Sequence, residues 1–321
     1  MERALFHRPS PPQITTLAGG VGAAKFLRGL VQKIDPERLA VIVNTGDDED
    51  FYGLHVSPDL DTVTYTLAGV VNRAQGWGRV GESFNALAAL GRFYGKPWFG
   101  LGDRDLATHI YRTDRLRSGA TLSQITREIA EAFGVLARIL PMSDDPVRTF
   151  VKLRGRPTLP FQEYFVRRRA RGAIEKIMLR GLDSARAAPG VTRALRTSRA
   201  IILAPSNPFV SIGPILGLPG VRKELRRVRK RVAAISPIVG GKAIKGPAAK
   251  MLRGLGMEIS AVGVARLYRD IVSTFVIDSV DHRLIDPIQR LGMRVIATDT
   301  IMSSPARSAR LAAAVLKALD V

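Results

Sequence analysis

The chain contains no cysteine, which excludes disulfides, thiolate nucleophiles and cysteine-ligated zinc. Histidine is nearly as scarce, and the scatter of His7, His55, His109 and His282 argues against a multi-histidine metal centre. No segment reaches the roughly 18 uninterrupted apolar residues that a membrane span requires. The opening MERALFHRPSPPQ has no apolar core of signal-peptide length and is broken by Pro9, Pro11 and Pro12. We therefore expect a cytoplasmic protein with no membrane partner and a short, flexible N-terminal extension over residues 1–13. Acidic residues are also in the minority, 28 against 49 lysines and arginines, for a formal net charge of +21. The surplus concentrates in 167–171 (RRRAR), 186–199 and 221–231 (VRKELRRVRKR). Such runs can bind nucleic acid by neutralising phosphates, but zinc-finger spacing and interleaved aromatics are both lacking. Solvated helix faces are the expectation, with no nucleic acid partner.

What remains is ample for a core. The 321 residues are 46% hydrophobic and 24% charged, ordinary values for a globular enzyme. Residues 13–17 read as a strand, 18–22 (AGGVG) as a tight turn, 23–32 as a helix with Leu27 and Leu30 on its inner face, and 38–44 as a second, parallel strand. Further apolar runs at 200–204, 232–236, 275–277 and 294–297 read as buried strands. Apolar strands alternating with helical stretches indicate an α/β fold. We expect a doubly wound, mostly parallel Rossmann-like sheet with helices on both faces over residues 14–321, and a smaller inserted lobe at about 145–200. Residues 62–140 read as mainly helical, with helices at 62–71, 81–90 and 122–133 and with Ser83 and Thr121 as N-caps. In the lobe, 147–153 and 161–166 read as strands, followed by basic helical material.

The densest chemical signal is 41–62, VIVNTGDDEDFYGLHVSPDLDT. It gathers Asp47, Asp48, Glu49, Asp50, Asp59 and Asp61 into one window at a strand end. Crowded carboxylates repel, so they must be solvated, metal-bound or matched by cations. Asp48, Asp50, Asp59 and Asp61 offer hard oxygen ligands suited to Mg²⁺ beside phosphates, at the strand end where open α/β sheets bind ligands. The turn at Gly19, Gly20 and Gly22 allows close backbone approach and presents helix N–H groups to an anion. It is neither a full dinucleotide fingerprint, since Lys25 stands where the third glycine belongs, nor a GxxxxGK[ST] loop. LGDRDLATHIYRT (101–113) packs Asp103, Arg104, Asp105, His109 and Arg112 between apolar residues, a cluster that could pair internally or bind a polar substrate. PMSDDPVRT (141–149) is a further acidic turn. PSNP (205–208) stiffens Ser206 and Asn207 between prolines, and 236–250 sets Lys242 and Lys245 among glycines, suited to a second phosphate contact.

In these motifs the chain resembles the CofD family, the phospholactate (or phosphoenolpyruvate) transferases of deazaflavin coenzyme F-420 biosynthesis. The likeness is carried by LAGGVGAAKFLRGL (17–30), NTGDDEDFYGLHVSPDLDTVTY (44–65), LGDRDLATHI (101–110), LPMSDDPVRT (140–149), PSNPFVSIGPIL (205–216) and SPIVGGKAIKGPAAK (236–250), and it continues to DTIMSSPA at 299–306. The resemblance implies a Mg²⁺-dependent phosphotransferase. It would move a phospholactyl or phosphoenolpyruvyl group from a guanosine diphosphate ester to the ribityl hydroxyl of Fo (7,8-didemethyl-8-hydroxy-5-deazariboflavin), releasing GMP. It also implies a homodimer. On this reading Asp48 and Asp61 are catalytic, and Asp48, Asp59 and Asp61 hold the metal. Gly20 and Gly22 contact the diphosphate, Ser206 and Asn207 the guanine, and Lys242 and Lys245 the donor phosphates. Asp61 and Arg104 touch the deazaflavin, with Asp59, Asp103 and His109 completing the substrate site. The alternative is a nucleotide-sugar-binding regulatory protein of the same superfamily without transfer activity.

Overall fold

The computed structural model describes residues 13–321. The expected extension at 1–13 lies outside the described residues except for Gln13, whose N–H donates to the Arg38 carbonyl at 2.9 Å and whose carbonyl accepts from Arg199 at 2.8 Å. The chain begins with β1 (Ile14–Ala18), α1 (Gly20–Leu30), β2 (Leu39–Val43), the hairpin β3 (Glu49–Phe51) and β4 (Leu54–Val56), and α2 (Pro58–Leu67). Helices α3 (Asn85–Tyr94), α4 (Asp103–Arg117) and α5 (Leu122–Ala132) follow, then β5 (Arg138–Pro141), β6 (Arg148–Leu153), β7 (Thr158–Pro160) and β8 (Ile174–Arg180). The second half runs through α6 (Val191–Thr197), β9 (Ala200–Leu203), α7 (Ile212–Gly217), α8 (Val221–Arg227), β10 (Val232–Ile235), β11 (Ile238–Val239) and β12 (Lys242–Ala243). It closes with α9 (Ala248–Gly254), α10 (Ala261–Tyr268), β13 (Thr274–Asp278), α11 (Ile285–Gln289), β14 (Arg294–Thr298) and α12 (Pro305–Ala318).

Seven strands form one sheet in the order β14-β13-β10-β9-β1-β2-β5, every pair parallel. Parallel strands are buried on both faces, and that is why β1, β2, β9, β10 and β13 read as continuous apolar runs. Alternate side chains enter different cores. Ile14 and Ala18 of β1 pack with α1, α2 and α12, whereas Leu17 packs on the other face with α6, α7, α8 and α10. The fold is thus the doubly wound α/β architecture. Gly29 lets α1 lie directly on α12, because a Cβ there would stand 2.2 Å from the Ser308 carbonyl carbon. From β1 the chain builds outward through β2 and β5, then returns to lay β9 on the opposite side of β1. A crevice opens at such a reversal, beyond the carboxyl ends of the two strands. No helix among the described residues is long and apolar enough to cross a membrane.

Several local expectations need correction. Residues 161–166 are not a strand. The strand is β7, three residues earlier, and Glu163–Arg167 form a π-helical turn. Phe161 and Tyr164, spaced i and i+3, both enter a small core with Val151, Leu153, Leu159 and Ile174, and only a helical turn puts that spacing on one side. The material after it is not all helical either, since β8 pairs antiparallel with β6 in a three-stranded sheet. The helix expected at 62–71 starts four residues earlier, with Pro58 in its first turn. The one expected at 81–90 starts at Asn85, because Gly81 sits at φ +70°. Ser83 is not its cap: the Ser83 hydroxyl donates to Asp103 Oδ2 at 2.7 Å. Thr121 does cap α5, in a capping box with Gln124.

Candidate active site

The turn after β1, the loop after β2, the start of α2 and the loop after β9 meet at the crevice. Gly20 takes φ +71°, a left-handed conformation natural to glycine, and its N–H donates to Asp59 Oδ1 at 2.7 Å. Gly19 and Gly22 are glycines for want of room. A Cβ on Gly19 would stand 2.7 Å from Asp59 Oδ2, and one on Gly22 would stand 2.3 Å from the Pro205 carbonyl oxygen. Asn44 ties the parts together. Its Nδ2 donates to Asp59 Oδ2 at 2.9 Å and to the Val210 carbonyl at 3.1 Å, and its Oδ1 accepts from Gly46 N at 2.9 Å. The loop is pinned to the three-stranded sheet as well. Thr149 N donates to the Gly46 carbonyl at 2.7 Å, and Gln162 Nε2 donates to the Asp47 carbonyl at 3.3 Å. Between this loop and Arg148, Phe150 and Phe161 lies a cleft of about 300 Å³.

Three carboxylates crowd this corner, with no lysine or arginine among the described residues paired to any of them. Asp47, Asp48 and Asp59 are 7, 2 and 7% exposed. Burial pushes the Asp47 carboxyl well above the usual range, and the charges of Asp59 and Asp48 push it further. Burial likewise raises Asp59, to about 6, against the hydrogen bonds from Asn44 and Gly20 and with the help of Asp48. Asp48 Oδ2 accepts from Ser57 Oγ at 2.8 Å and lies 3.2 Å from His55 Nε2, while His55 Nδ1 lies 3.1 Å from Asp50 Oδ1. The Tyr52–Gly53 turn, both residues at positive φ, folds His55 back onto these acids. Thr45 Oγ1, Asp47 Oδ1, Asp48 Oδ1 and Ser206 Oγ are buried with no protein hydrogen-bond partner. Orphaned oxygens beside under-neutralised carboxylates suit a hard divalent cation, which takes oxygen ligands only.

A second acidic cluster behaves differently. Asp61 lies two residues beyond Asp59 on α2, and Arg112 of α4 grips both its oxygens, Nη1 to Oδ2 at 3.1 Å and Nη2 to Oδ1 closer still. His109 Nδ1 stands 3.3 Å from Arg112 Nη1, and His109 Nε2 stands 3.4 Å from Asp105 Oδ2. Tyr65 Oη donates to Asp105 Oδ1 at 2.6 Å. Burial raises the Asp61 carboxyl, and the adjacent Arg112 opposes it. Asp61, Asp105 and His109 offer ligand atoms within 4.8 Å of one another, a spacing compatible with a metal. Arg112 already neutralises Asp61, however, and would repel a cation there.

The residues singled out from the sequence are therefore divided. Gly20, Gly22, Asp48, Asp59 and Ser206 converge on the crevice. Asp61 and His109 belong to the buried ion network. Asp103 caps α3 from the neighbouring helix, accepting from Asn85 N at 3.0 Å and Ala86 N at 3.0 Å. Arg104 is exposed and donates to the Val80 carbonyl at 3.2 Å. Asn207 spends its side chain on its own loop, with Oδ1 accepting from Phe209 N at 2.9 Å. Lys242 and Lys245 are exposed on and beyond β12. Sequence reasoning left out Asn44, Thr149 and Gln162. It named Asp47 and Arg112 without giving either a role in the site, and the internal pairing it allowed for the 101–113 cluster is what Arg112 and His109 make. Asn44 and Asp47 lay inside the acidic window. Arg112 stood one helical turn from His109, a spacing that predicts contact. Nothing local marks Thr149 or Gln162, which arrive from a different sheet.

A glycine turn, buried carboxylates and a cleft meet at the switch point of a parallel sheet, and together they define a candidate ligand site on a Rossmann-like fold. Residues 14–313 match the family described as 2-phospho-L-lactate transferase CofD. A phosphoenolpyruvate transferase of Thermobifida fusca is 43% identical, covering 94% of this chain and 96% of its own. One from Kitasatospora aureofaciens is 41% identical over 94% and 95%. A 2-phospho-L-lactate transferase of Methanosarcina mazei is 38% identical over 94% and 98%. In fold, the chain is similar to a UPF0052-family protein of Bacillus halodurans, with a TM-score of 0.66 at 14% identity over 96% and 99% of the two chains. This chain belongs to the CofD family of transferases.

Proposed function

We propose that the protein transfers a phosphorylated three-carbon acid, phospholactyl or phosphoenolpyruvyl, from a guanosine diphosphate ester to the ribityl hydroxyl of Fo, within coenzyme F-420 biosynthesis. The observation that carries this reading is the group Asp47, Asp48 and Asp59, buried at the switch point beside the Gly20 turn, with Asp47 Oδ1 and Asp48 Oδ1 lacking any hydrogen-bond partner among the described residues. A fold gains nothing from burying unpaired carboxylates, and a site for a cation and phosphates does.

In the reaction, the Fo hydroxyl oxygen bonds to the distal phosphorus of the donor, and the bridging P–O bond breaks to release GMP. The hydroxyl proton passes to a carboxylate. Asp59, raised to about 6, is ionised yet basic enough for that role near neutrality. Asp47 and Asp48 would hold Mg²⁺, which when bound neutralises charge developing on the phosphoryl oxygens. The Gly20 turn lies beside the diphosphate, and Ser206 Oγ, buried without a partner, contacts the donor. Phe150 and Phe161 offer apolar surface to the deazaflavin ring. Asp61 and Arg112 act indirectly, by fixing the helix that carries Asp59. The test is incubation with Fo, Mg²⁺ and each guanylated donor in turn, read by mass spectrometry of the product. A three-carbon phosphoester of Fo together with GMP is expected, and absence of product from every donor would refute the reading.

A further inference from the structure

Outside the crevice, the outer face of α1 carries cations with no anion. Lys25 and Arg28 stand one turn apart on α1, Arg73 reaches the same hollow from the segment after α2, and Lys245 lies close enough to repel Lys25. None of these four side chains makes an ion pair or hydrogen bond among the described residues. Elsewhere in this basic chain arginines do find acids: Arg222 and Arg226 share Asp270, and Arg196 and Arg227 share Glu224. What sets the α1 group apart from other unpaired surface cations is that Lys25, Arg28 and Arg73 converge on one hollow. Arg28 Nε is also buried without a partner, an unmet donor of the kind an incoming acceptor would satisfy. Burial lowers the pKa of both Lys25 and Arg28, and the neighbouring cations lower each further. The hollow between them measures about 20 Å³ over a floor of Val21, Ala24 and Thr66. That is room for about one water-sized group, such as a phosphate or carboxylate oxygen, and not for a ring.

We propose that Lys25, Arg28 and Arg73 form a subsite for a small phosphate- or carboxylate-bearing anion. At about 1.5 Å per residue, it begins about 7 Å along α1 from the Gly20 turn. Planar guanidinium forks bind such groups through paired hydrogen bonds, with Lys25 adding a point charge. Two sources share this chemistry: the acidic end of the guanylated donor, or a free anion held beside the site.

Titration calorimetry with inorganic phosphate at fixed ionic strength tests the subsite on the full chain. Wild type should bind phosphate, the Arg28→Gln/Arg73→Gln double variant should bind it about tenfold or more weakly, and Arg28→Lys/Arg73→Lys should recover part of the loss. Steady-state kinetics then separate the sources, and only this arm rests on the proposed transfer reaction. A matching rise in donor KM, with kcat and the KM for Fo within about twofold, assigns the subsite to the donor. An unchanged donor KM assigns it to a free anion. Equal phosphate binding by wild type and the double glutamine variant, or none by wild type, would overturn the proposal. Because the phosphate arm needs no turnover, a chain inactive toward Fo would remove the transfer reading and leave this one standing.

Discussion

Two carboxylate clusters sit on opposite faces of the same helix, and their chemistry differs as sharply. Asp59 on α2 faces Gly20, Asn44, Asp47 and Asp48, where acid meets acid. Asp61, two residues on, faces Arg112, His109 and Asp105, where acid meets base and hydroxyl. Two residues rotate a helix by about 200°, so one turn of α2 serves both. The second cluster pairs its acids with cations and a hydroxyl and holds α2 to α4. The first leaves Asp47 Oδ1 and Asp48 Oδ1 without a hydrogen-bond partner among the described residues, and with no opposite charge beside Asp47. Burial alone does not mark a functional acid; burial without a partner does.

The comparison breaks most visibly on the paired side. Arg112→Ala strands Asp61 in the interior and should cost about 3–5 kcal/mol, seen by calorimetry as a fall in Tm of roughly 10 °C. A shift close to zero would mean that the network holds nothing. Next comes the wall of the crevice. Gly22→Ala drives a Cβ against the Pro205 carbonyl and should cost about 1–3 kcal/mol through overpacking, with activity falling alongside stability. On the unpaired side the two readouts should separate. Asp48→Asn should lower kcat/KM about tenfold or more, worth about 1.4 kcal/mol, and leave Tm within the small range of an unstressed substitution. Activity and Tm falling together would erase the distinction.

The smallest effect carries a sign. A carboxyl whose folded pKa is raised stabilises the fold below its unfolded pKa and loses that contribution as pH rises through the folded value. Asp47 is raised, and Asp59 reaches about 6. Ligand-free stability should therefore decline as pH climbs from about 4 through 6 on account of Asp59. Asp47→Asn should raise the ligand-free Tm at about pH 8, and the gain should shrink on acidification and vanish below about pH 3, where the carboxyl is protonated in both folded and unfolded states. A gain that grew on acidification would reverse the electrostatics argued for this corner.

Much of this was open to a reader of the sequence, for physical reasons that also explain the gaps. The strands β1, β2, β9, β10, β13 and β14 announce themselves as short apolar runs between turns. By contrast β5, RILP, is four residues hard against a helix. FQEYFV (161–166) has the aromatic and β-branched composition of a strand, but packs by its i, i+3 spacing. The acidic window was legible as a candidate site. Its division was not, because the start of α2 was placed at Thr62 and Asp59 and Asp61 were left in a loop. Pro58 at a helix start was the overlooked signal. Which of Asp47, Asp48 and Asp50 turns inward depends on Asn44, Thr149 and Gln162, the last two about a hundred residues away, and no local pattern encodes that.

The central claim, that the unpaired cluster takes the cation and the paired one does not, can be tested in one measurement. A crystal of the full chain soaked in Mn²⁺ and examined by anomalous scattering should show an ion against the oxygens of Asp47 and Asp48. An ion seated instead among Asp61, Asp105 and His109, with Arg112 displaced, would contradict the account.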